Sequence, residues 1–184
     1  MVKIYCAPCA KSSGSATVYA LLEYAFLIEH GGSIPKIKKT PNGKPYFPKR
    51  LDIHFSLSHT KSHVLCALSG DPVGVDIESR RRISKRAESF FISPCENSLF
   101  HPLDLWVLKE SYLKLKGWTL PSVRTMRFSR EGDRIFAPDA SVLSKLYHIA
   151  GCHAAASTTG NTLPDSIELV PSSVLPIIGS SDFP

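Results

Sequence analysis

The strongest secondary-structure signal in the chain is a helical pattern over residues 104–116, which ends at a glycine, Gly117. Two further helical patterns cover about residues 15–29 and 84–91. Short strand patterns lie before and after the long helix, at residues 2–5, 54–57, 63–68, 73–77, 123–136 and 146–156. Because helices mixed with short, hairpin-linked strands depart from strict βαβ alternation, the sequence predicts the α+β class.

The composition is typical of a folded, water-soluble protein. Of 184 residues, 43% are hydrophobic and 21% are charged, which excludes a disordered chain, a collagen-like fibre and a coiled coil. The longest apolar runs, such as residues 18–22 and 64–68, are too short to span a bilayer, and residues 1–19 lack the pattern of a secretory signal. The five cysteines, an odd number, argue against a closed disulfide framework. We therefore expect a cytoplasmic protein without a membrane partner.

Positive charge is concentrated in two segments, residues 36–50 and 80–86. The net charge is +6, whereas residues 151–184 contain no lysine or arginine. This uneven distribution suggests an anionic partner for the first two thirds of the chain. A solvated basic face explains the same charges, and composition alone leaves both interpretations open.

A turn sequence at residues 70–72, G-D-P, follows the strand pattern at 63–68 and leads into the pattern at 73–77, which predicts a hairpin. The same turn divides the chain into a predicted N-terminal half, residues 1–70, and a predicted C-terminal half, residues 71–170. A serine-rich stretch at residues 12–15 is predicted to cap the first helix. Residues 171–184 are rich in proline and serine, which predicts a mobile tail.

Two carboxylates, Asp76 and Glu78, are separated by one residue in the strand pattern G-V-D-I-E. Side chains at i and i+2 of a strand share a face, so these two would project together while Val75 and Ile77 face the core. Adjacent carboxylates repel unless a cation lies between them, and oxygen ligands of this kind suit Mg²⁺. The simpler interpretation is the solvent-facing edge of an ordinary amphipathic strand.

The long helix carries the sequence W-V-L-K-E-S-Y-L-K, in which Glu110 and Lys114 are four residues apart and share one face. Trp106 lies one turn before Glu110 on the same ridge. The simpler interpretation is a surface ion pair worth roughly 0.2–0.5 kcal/mol, with Trp106 packed in the core.

Two loop sequences have residues that suit a phosphate. In F-S-L-S-H-T, at residues 55–60, a strand runs into a turn that carries Ser58 and His59, whose hydroxyl and imidazole can hold an anion. In N-G-K-P-Y-F, at residues 42–47, a turn presents Lys44 next to the rigid Pro45. A capping turn with an exposed histidine explains the first sequence equally simply.

Each of these motifs is weak by itself, but their order along the chain is specific. The series N-G-K-P-Y-F, F-S-L-S-H-T, G-V-D-I-E and W-V-L-K-E-S-Y-L-K resembles the Sfp-type branch of the 4′-phosphopantetheinyl transferases. Residues 83–96 are similar to the helix and F-F-S-x-x-E segment of that family, and residues 146–170 to its closing strands. The resemblance covers about residues 42–170 and is weaker over the first 40.

The resemblance implies an enzyme that transfers the 4′-phosphopantetheine moiety of coenzyme A to a serine of an apo acyl or peptidyl carrier protein, releasing adenosine 3′,5′-bisphosphate. The Mg²⁺ ligands that it implies are Asp76, Glu78 and Glu110. The coenzyme A contacts that it implies are Lys44, Pro45, Ser58, His59 and Lys114. The catalytic residues that it implies are Glu110, as base toward the carrier serine directly or through a water, together with Lys114 and His59.

The fold implied by the resemblance is two similar α+β halves that form a pseudo-dimer within a monomer, with coenzyme A in the cleft between them. Its implied partners are coenzyme A and an acidic carrier protein, either of which the basic segments could attract, and not nucleic acid. The basic helix segment that grips the 3′-phosphate in fuller members has no obvious counterpart, since only Lys11 lies near residues 12–16. The stretch between Glu96 and Trp106, where longer members insert residues that help to bind the carrier, is also short.

Three other classes of protein share single features with the chain. Cys6 and Cys9 form a C-A-P-C sequence after the first strand, as in thioredoxin-like redox domains, although the βαβ continuation is absent. A nucleic-acid-binding module would explain the charge of +6, but no zinc, RNP or basic-helix motif accompanies it. An inactive relative of the transferases would be expected to lack a carboxylate, and all three are present.

Overall fold

The computed structural model describes residues 1–9, 14–149 and 151–176. Its strands are β1 (Lys3–Pro8), β2 (Lys38–Lys39), β3 (Pro45–Tyr46), β4 (His54–His59), β5 (His63–Ser69), β6 (Val73–Ser79), β7 (Ser129–Glu131), β8 (Arg134–Phe136), β9 (Leu143–Ile149), β10 (Cys152–Thr158) and β11 (Glu168–Leu169). Its helices are α1 (Gly14–His30), α2 (Lys85–Phe91), α3 (Pro94–Asn97) and α4 (Pro102–Lys116). Short 3₁₀ turns follow at Leu120–Arg124 and Ser172–Val174. This mixture of helices and largely antiparallel sheets belongs to the predicted α+β class.

Two sheets form the centre of the molecule. The first has the strand order β11-β1-β5-β4, and the second has the order β6-β10-β9. Neighbouring strands are antiparallel except for β1 and β11, which are parallel. Apolar side chains of β1 and β5 pack against those of β6 and β10 between the sheets. The helix α1 covers the outer face of the first sheet, and α4 covers the outer face of the second.

Serine hydroxyls join the two sheets where β4 meets β6. The Val75 N–H donates to Ser56 Oγ at 3.0 Å, and the Ile77 N–H donates to Ser58 Oγ at 3.3 Å. These bonds satisfy backbone donors on the edge of β6 that no strand pairs, which a buried strand requires. They also fix β6, and the acidic residues on it, relative to β4.

The helix α4 approaches β6 closely because of a glycine. A Cβ atom on Gly74 would lie 2.1 Å from the Ser111 carbonyl oxygen and 2.4 Å from the Leu115 nitrogen, so any larger residue would push the helix away from the strand. The helix begins after His101, whose Nδ1 accepts from the Leu103 N–H, and it ends at Gly117, which adopts a left-handed φ of 65°. The acidic side of β6 therefore faces one fixed face of α4.

Most predicted elements are confirmed, and two details of the predicted pairing are wrong. β5 pairs with β1 and β4, whereas β6 pairs with β10, so the G-D-P turn at residues 70–72 leads into the other sheet instead of closing a hairpin. The single strand predicted at residues 146–156 is two strands, β9 and β10, because Gly151 turns the chain with a φ of 74°. The first part of the strand pattern at residues 123–136 lies partly in a 3₁₀ turn.

Some sequence predictions concern residues that the structure does not describe. Lys11 and the capping serines Ser12 and Ser13 lie outside the described residues, and so does the tail at residues 177–184. The division at residue 70 stays a prediction, and β11 from the predicted C-terminal half pairs with β1 from the N-terminal half. Among the described helices, none combines the length and the apolar character that a bilayer span needs.

Candidate active site

The two carboxylates of β6 project toward α4. Val75 and Ile77 lie in the apolar cluster between the sheets, so Asp76 and Glu78 occupy the opposite face, as their spacing predicts. Asp76 is 6% exposed, and the side chain of Glu78 is 28% exposed. The interpretation of Asp76 as part of a solvent-facing edge is therefore wrong, because the helix covers it.

Glu110 of α4 lies close enough to these two carboxylates for their charges to interact. Burial, together with the negative charges of Asp76 and Glu78, raises the pKa of Glu110 to about 7 against the opposing effect of Lys114. The fold thus brings three acids from a strand and a helix into one electrostatic group. A carboxyl group with this pKa holds its proton over part of the physiological range unless a cation neutralises its surroundings.

Lys114 pairs with the acids of β6. Its Nζ lies 2.7 Å from Asp76 Oδ1 and donates to the Leu57 carbonyl oxygen at 3.3 Å. The spacing of the helix suggested an ion pair between Lys114 and Glu110, one turn earlier, but Lys114 pairs with Asp76 instead. At the edge of the group, Arg81 Nε lies 3.4 Å from Glu78 Oε2, and the Arg81 side chain is 52% exposed.

The charge of the group remains unbalanced. Three carboxylates face one part-buried ammonium group and one exposed guanidinium, so the site retains negative charge when all its acids ionise. Carboxylate oxygens are hard ligands, and Mg²⁺ is commonly bound through a few carboxylates and completes its shell with water or phosphate oxygens. The donor set of Asp76, Glu78 and Glu110 fits such a cation.

Ser58 and His59 end β4, and Ser58 lies beside this group. The Ser58 hydroxyl donates to Asp76 Oδ1 at 2.7 Å, so it holds the carboxylate in place from the first sheet. His59 is exposed, and its imidazole packs against Gly14 at the start of α1, where a Cβ would lie 2.9 Å from Nδ1. The two residues therefore face different neighbours, Asp76 and α1.

A cavity of about 210 Å³ adjoins the carboxylates through Lys114. Its lining also includes Lys44, Pro45 and Leu57. The Lys44 Nζ donates to the Leu115 carbonyl oxygen at 2.7 Å, and burial lowers the pKa of Lys44 to about 8. Two lysines at one cavity form a suitable environment for a phosphorylated ligand.

The loop that carries Lys44 is attached to the end of α4. Asn42 Nδ2 donates to the Gly117 carbonyl oxygen at 3.0 Å, beside the bond from Lys44 to Leu115. The last carbonyl groups of a helix lack intrahelical donors and carry partial negative charge, so an amide and an ammonium group are suitable partners. The N-G-K-P sequence thus serves to join the first part of the chain to α4.

The sequence reasoning did not foresee the role of Lys109, the residue before Glu110. Lys109 is 0% exposed, and its Nζ lies 3.0 Å from Glu96 Oε2 and donates to the carbonyl oxygens of Phe91, Val123 and Met126. Glu96, also 0% exposed, accepts from Ser93 and from the Phe128 N–H. The S-x-x-E spacing of Ser93 and Glu96 is a capping-box signal that could have identified half of this network.

Trp106 is a packing residue, as predicted. Its ring lies against Phe91, with the ring centroids 5.0 Å apart at 67°, at the margin of the apolar cluster around α4. An edge-to-face contact of this kind stabilises the position of α2 against α4.

Cys6 lacks the properties of a redox-active thiol. It is buried, which raises the pKa of its thiol to about 12. A reactive thiol needs a lowered pKa and access to solvent, so Cys6 has the opposite properties. Cys6 lines a second cavity, of about 640 Å³, whose lining includes none of the predicted site residues.

Comparison with curated proteins confirms the resemblance to Sfp-type 4′-phosphopantetheinyl transferases. The chain is 41% identical over 96 residues to 4′-phosphopantetheinyl transferase gsp of Aneurinibacillus migulanus. The matched region covers 46% of this chain and 40% of that protein. The chain is also 37% identical over 91 residues to 4′-phosphopantetheinyl transferase Sfp of Bacillus subtilis strain 168. This second matched region covers 43% of this chain and 41% of that protein.

A third relative, a 4′-phosphopantetheinyl transferase of Bacillus pumilus, is 35% identical over 104 residues, which covers 50% of this chain and 45% of that protein. The matched regions thus span about two fifths of the length of these curated relatives. No protein-family model matches the chain.

Proposed function

We propose that this chain transfers the 4′-phosphopantetheine moiety of coenzyme A to a serine of an apo acyl or peptidyl carrier protein. The observation that carries the proposal is the convergence of Asp76, Glu78 and Glu110 beside a cavity that Lys44 and Lys114 line. The similarity to curated transferases supports the same reaction. The two arguments are independent, because the first rests on local chemistry and the second on sequence.

The proposed Mg²⁺ ligands are Asp76, Glu78 and Glu110. When bound, Mg²⁺ would supply positive charge at the β-phosphate and at the oxygen that leaves. Lys114 remains close to Asp76 and faces the cavity, where its ammonium group can bind a phosphate oxygen and stabilise the leaving group. Ser58 keeps Asp76 in position by its hydrogen bond.

The proposed step is a single displacement at phosphorus. The hydroxyl oxygen of the carrier serine forms a bond to the β-phosphorus of coenzyme A, the bond from that phosphorus to the bridging oxygen breaks, and adenosine 3′,5′-bisphosphate leaves. The serine proton passes to Glu110, directly or through a water.

The proposed contacts to coenzyme A are Lys44, Pro45, Ser58, His59 and Lys114. Lys44, Pro45 and Lys114 line the same cavity. Ser58 would donate to a phosphate oxygen only by giving up its bond to Asp76, because its hydroxyl group has a single proton. His59 stands at the start of α1, where helix N–H groups favour an anion.

We further propose that the chain works as a cytoplasmic monomer built from two similar halves, residues 1–70 and 71–170, that form a pseudo-dimer. The serine bonds between β4 and β6 support a close association of the halves along this line. The basic segments at residues 36–50 and 80–86 are proposed to attract coenzyme A and an acidic carrier rather than nucleic acid.

Incubation with coenzyme A, Mg²⁺ and purified apo carrier proteins of the fatty-acid and peptide-synthetase types tests the proposal. The expected result is a mass gain of one phosphopantetheine on the carrier, which requires Mg²⁺ and disappears with excess chelator. Absence of the mass gain with every carrier would refute the activity. Salt-sensitive binding to random duplex DNA in its place would favour the nucleic-acid-binding alternative.

A further inference from the structure

Three histidines and an aspartate form a cluster near the start of α4, and none of the four is among the proposed catalytic residues. The ligand atoms of His101, Asp104 and His153 all lie within 4.8 Å of one another. His153 Nδ1 is 2.7 Å from Asp104 Oδ1, and His148 Nε2 is 3.5 Å from the same oxygen. The rings of His101 and His153 are stacked at 8°, with their centroids 5.1 Å apart.

The register of the second sheet produces this cluster. His148 of β9 and His153 of β10 are direct cross-strand partners, and His153 is also the partner of Glu78 on β6. Cross-strand partners have their side chains on the same face, about 4.5–5.5 Å apart at Cβ. The start of α4 then adds Asp104 to the row, with His101 one turn before it.

The donor set differs in kind from that of the carboxylate site. Asp76, Glu78 and Glu110 offer only oxygen, which suits Mg²⁺, whereas the cluster offers imidazole nitrogens together with one carboxylate. Imidazole nitrogens and carboxylate oxygens are both zinc ligands, and four of them complete the tetrahedral shell of the ion. A single carboxylate also needs only one protonated imidazole for charge balance, so the three imidazoles exceed what an ion pair requires.

We propose that His101, Asp104, His148 and His153 bind one divalent transition-metal ion of the zinc class. Such an ion would tie the start of α4 to the β9–β10 hairpin. Ligand atoms of a tetrahedral zinc ion lie about 3.4 Å apart, so those of His101, Asp104 and His153, now within 4.8 Å of one another, must close by up to about 1.5 Å. His101 and His148 are exposed, so their side chains can make such shifts.

The present hydrogen bonds define what the ion must replace. His101 Nδ1 accepts from the Leu103 N–H at 3.2 Å, and His153 Nδ1 lies 2.7 Å from Asp104 Oδ1. The inference does not depend on the proposed transferase activity.

Titration of the full chain with Co²⁺ in a buffer that contains Mg²⁺ tests this inference by the visible absorption of nitrogen-bound cobalt. The expected result is one Co²⁺ per chain, displaced by Zn²⁺. His101→Asn keeps a good helix cap, and His148→Ala alters an exposed strand position, so both should fold. Each variant should bind Co²⁺ about 10–100-fold more weakly.

Two control variants separate this site from other histidines and from the carboxylates. His30→Ala removes an exposed histidine at the end of α1, and Glu110→Gln alters the proposed Mg²⁺ site; neither should change the Co²⁺ affinity. Thermal unfolding should shift upward with Zn²⁺ in the wild type and less in His148→Ala. No cobalt absorption, equal affinity in all variants, or loss of binding only in Glu110→Gln would overturn the proposal.

Discussion

Two neighbouring residues of α4, Lys109 and Glu110, are at the centre of opposite electrostatic environments. Lys109 is fully buried and meets Glu96 and three backbone carbonyl oxygens, so its charge and its hydrogen bonds are satisfied by the protein. Glu110 lies about 100° further around the helix, where it meets two more acids beside a cavity. On the Lys109 side of the helix, the protein itself neutralises the buried charge. On the Glu110 side, the negative charges remain available to bind a ligand.

The pKa shifts of the two glutamates, Glu96 and Glu110, differ in the same way. Burial raises the pKa of Glu96, but the bonds from Ser93, Phe128 and Lys109 outweigh it and lower the pKa below its ordinary value. Burial also lowers the pKa of Lys109, and Glu96 opposes this change. Among the described residues, none donates a comparable hydrogen bond to Glu110, so burial and the neighbouring acids raise its pKa. Donors supplied by the protein distinguish a structural charge from one available for chemistry.

The largest expected effect on stability comes from breaking the buried ion pair between Lys109 and Glu96. Glu96→Gln leaves the ammonium group of Lys109 buried without its counter-ion. Lys109→Met likewise leaves the carboxylate of Glu96 buried without its counter-ion. Each should lower the free energy of unfolding by about 3–5 kcal/mol, measured by urea denaturation. Lys85→Met, in the surface pair with Glu88, is the matched control and should change stability by less than about 1 kcal/mol. Equal losses in the two pairs would contradict the comparison.

The double variant Glu96→Gln with Lys109→Met sharpens this prediction. Because the second change removes the charge that the first leaves unpaired, the two losses should not add. The double variant should be more stable than the sum of the single losses predicts. Strict additivity would show that the two groups stabilise the fold independently.

Replacing an acid of the carboxylate site should remove most of the transfer activity while the chain still folds. Glu110→Gln or Asp76→Asn removes a charge proposed to bind Mg²⁺ and should slow transfer to an apo carrier by at least about 10²–10³-fold. Single-turnover transfer measures the rate, and circular dichroism verifies the fold. Glu88→Gln on the surface of α2 is the control. A rate near that of wild type in either site variant would eliminate the proposed ligand set.

The stability of the metal-free protein should depend on pH through Glu110. The folded protein keeps the Glu110 proton up to a pKa of about 7, whereas the unfolded chain releases it near the ordinary 4.5. Stability from this group is therefore complete below about pH 4.5 and is lost as the pH rises to about 7. At about 1.4 kcal/mol per pH unit, the loss is about 3 kcal/mol.

Urea denaturation at several pH values in chelator measures this loss. The difference between wild type and Glu110→Gln isolates it from other titrating groups, and added Mg²⁺ should reduce it. Parallel pH profiles for the two proteins would exclude a raised pKa at Glu110.

The smallest effect is expected at the rim of the carboxylate site. Arg81 is half exposed, and its contact with Glu78 is 3.4 Å, so Arg81→Ala should change the free energy of unfolding by less than about 1 kcal/mol. Mg²⁺ affinity, measured by calorimetry, should stay equal or rise slightly because a competing positive charge is removed. A marked loss of Mg²⁺ affinity would mean that Arg81 positions Glu78.

Sequence periodicity predicted several particular contacts correctly. Spacing of two residues placed Asp76 and Glu78 on one face of β6, and the apolar pattern identified α1 and α4. Pairing was less accessible. The pattern at residues 73–77 is the same for a strand that completes a hairpin and for one that enters another sheet. The prediction of a hairpin between β5 and β6 was therefore wrong. The turn at Gly151 lay within an otherwise strand-like run and was missed for the same reason.

The candidate site divides in the same way. Local spacing could not reveal that Lys114 pairs with Asp76, 38 residues away, or that Lys109 reaches Glu96. It also could not align His148, His153 and Glu78, because cross-strand register depends on which strands pair.

By itself, the sequence determined which residue types are present, the period of each element and the ordered motifs that resemble the transferases. The tertiary structure alone decided which charges are neutralised. That outcome depends on the close approach of α4 to β6 at Gly74, which turns Glu110 toward two acids and Lys109 toward Glu96. Burial strengthens each charge interaction by excluding water, and burial is a property of the packed chain and not of any segment.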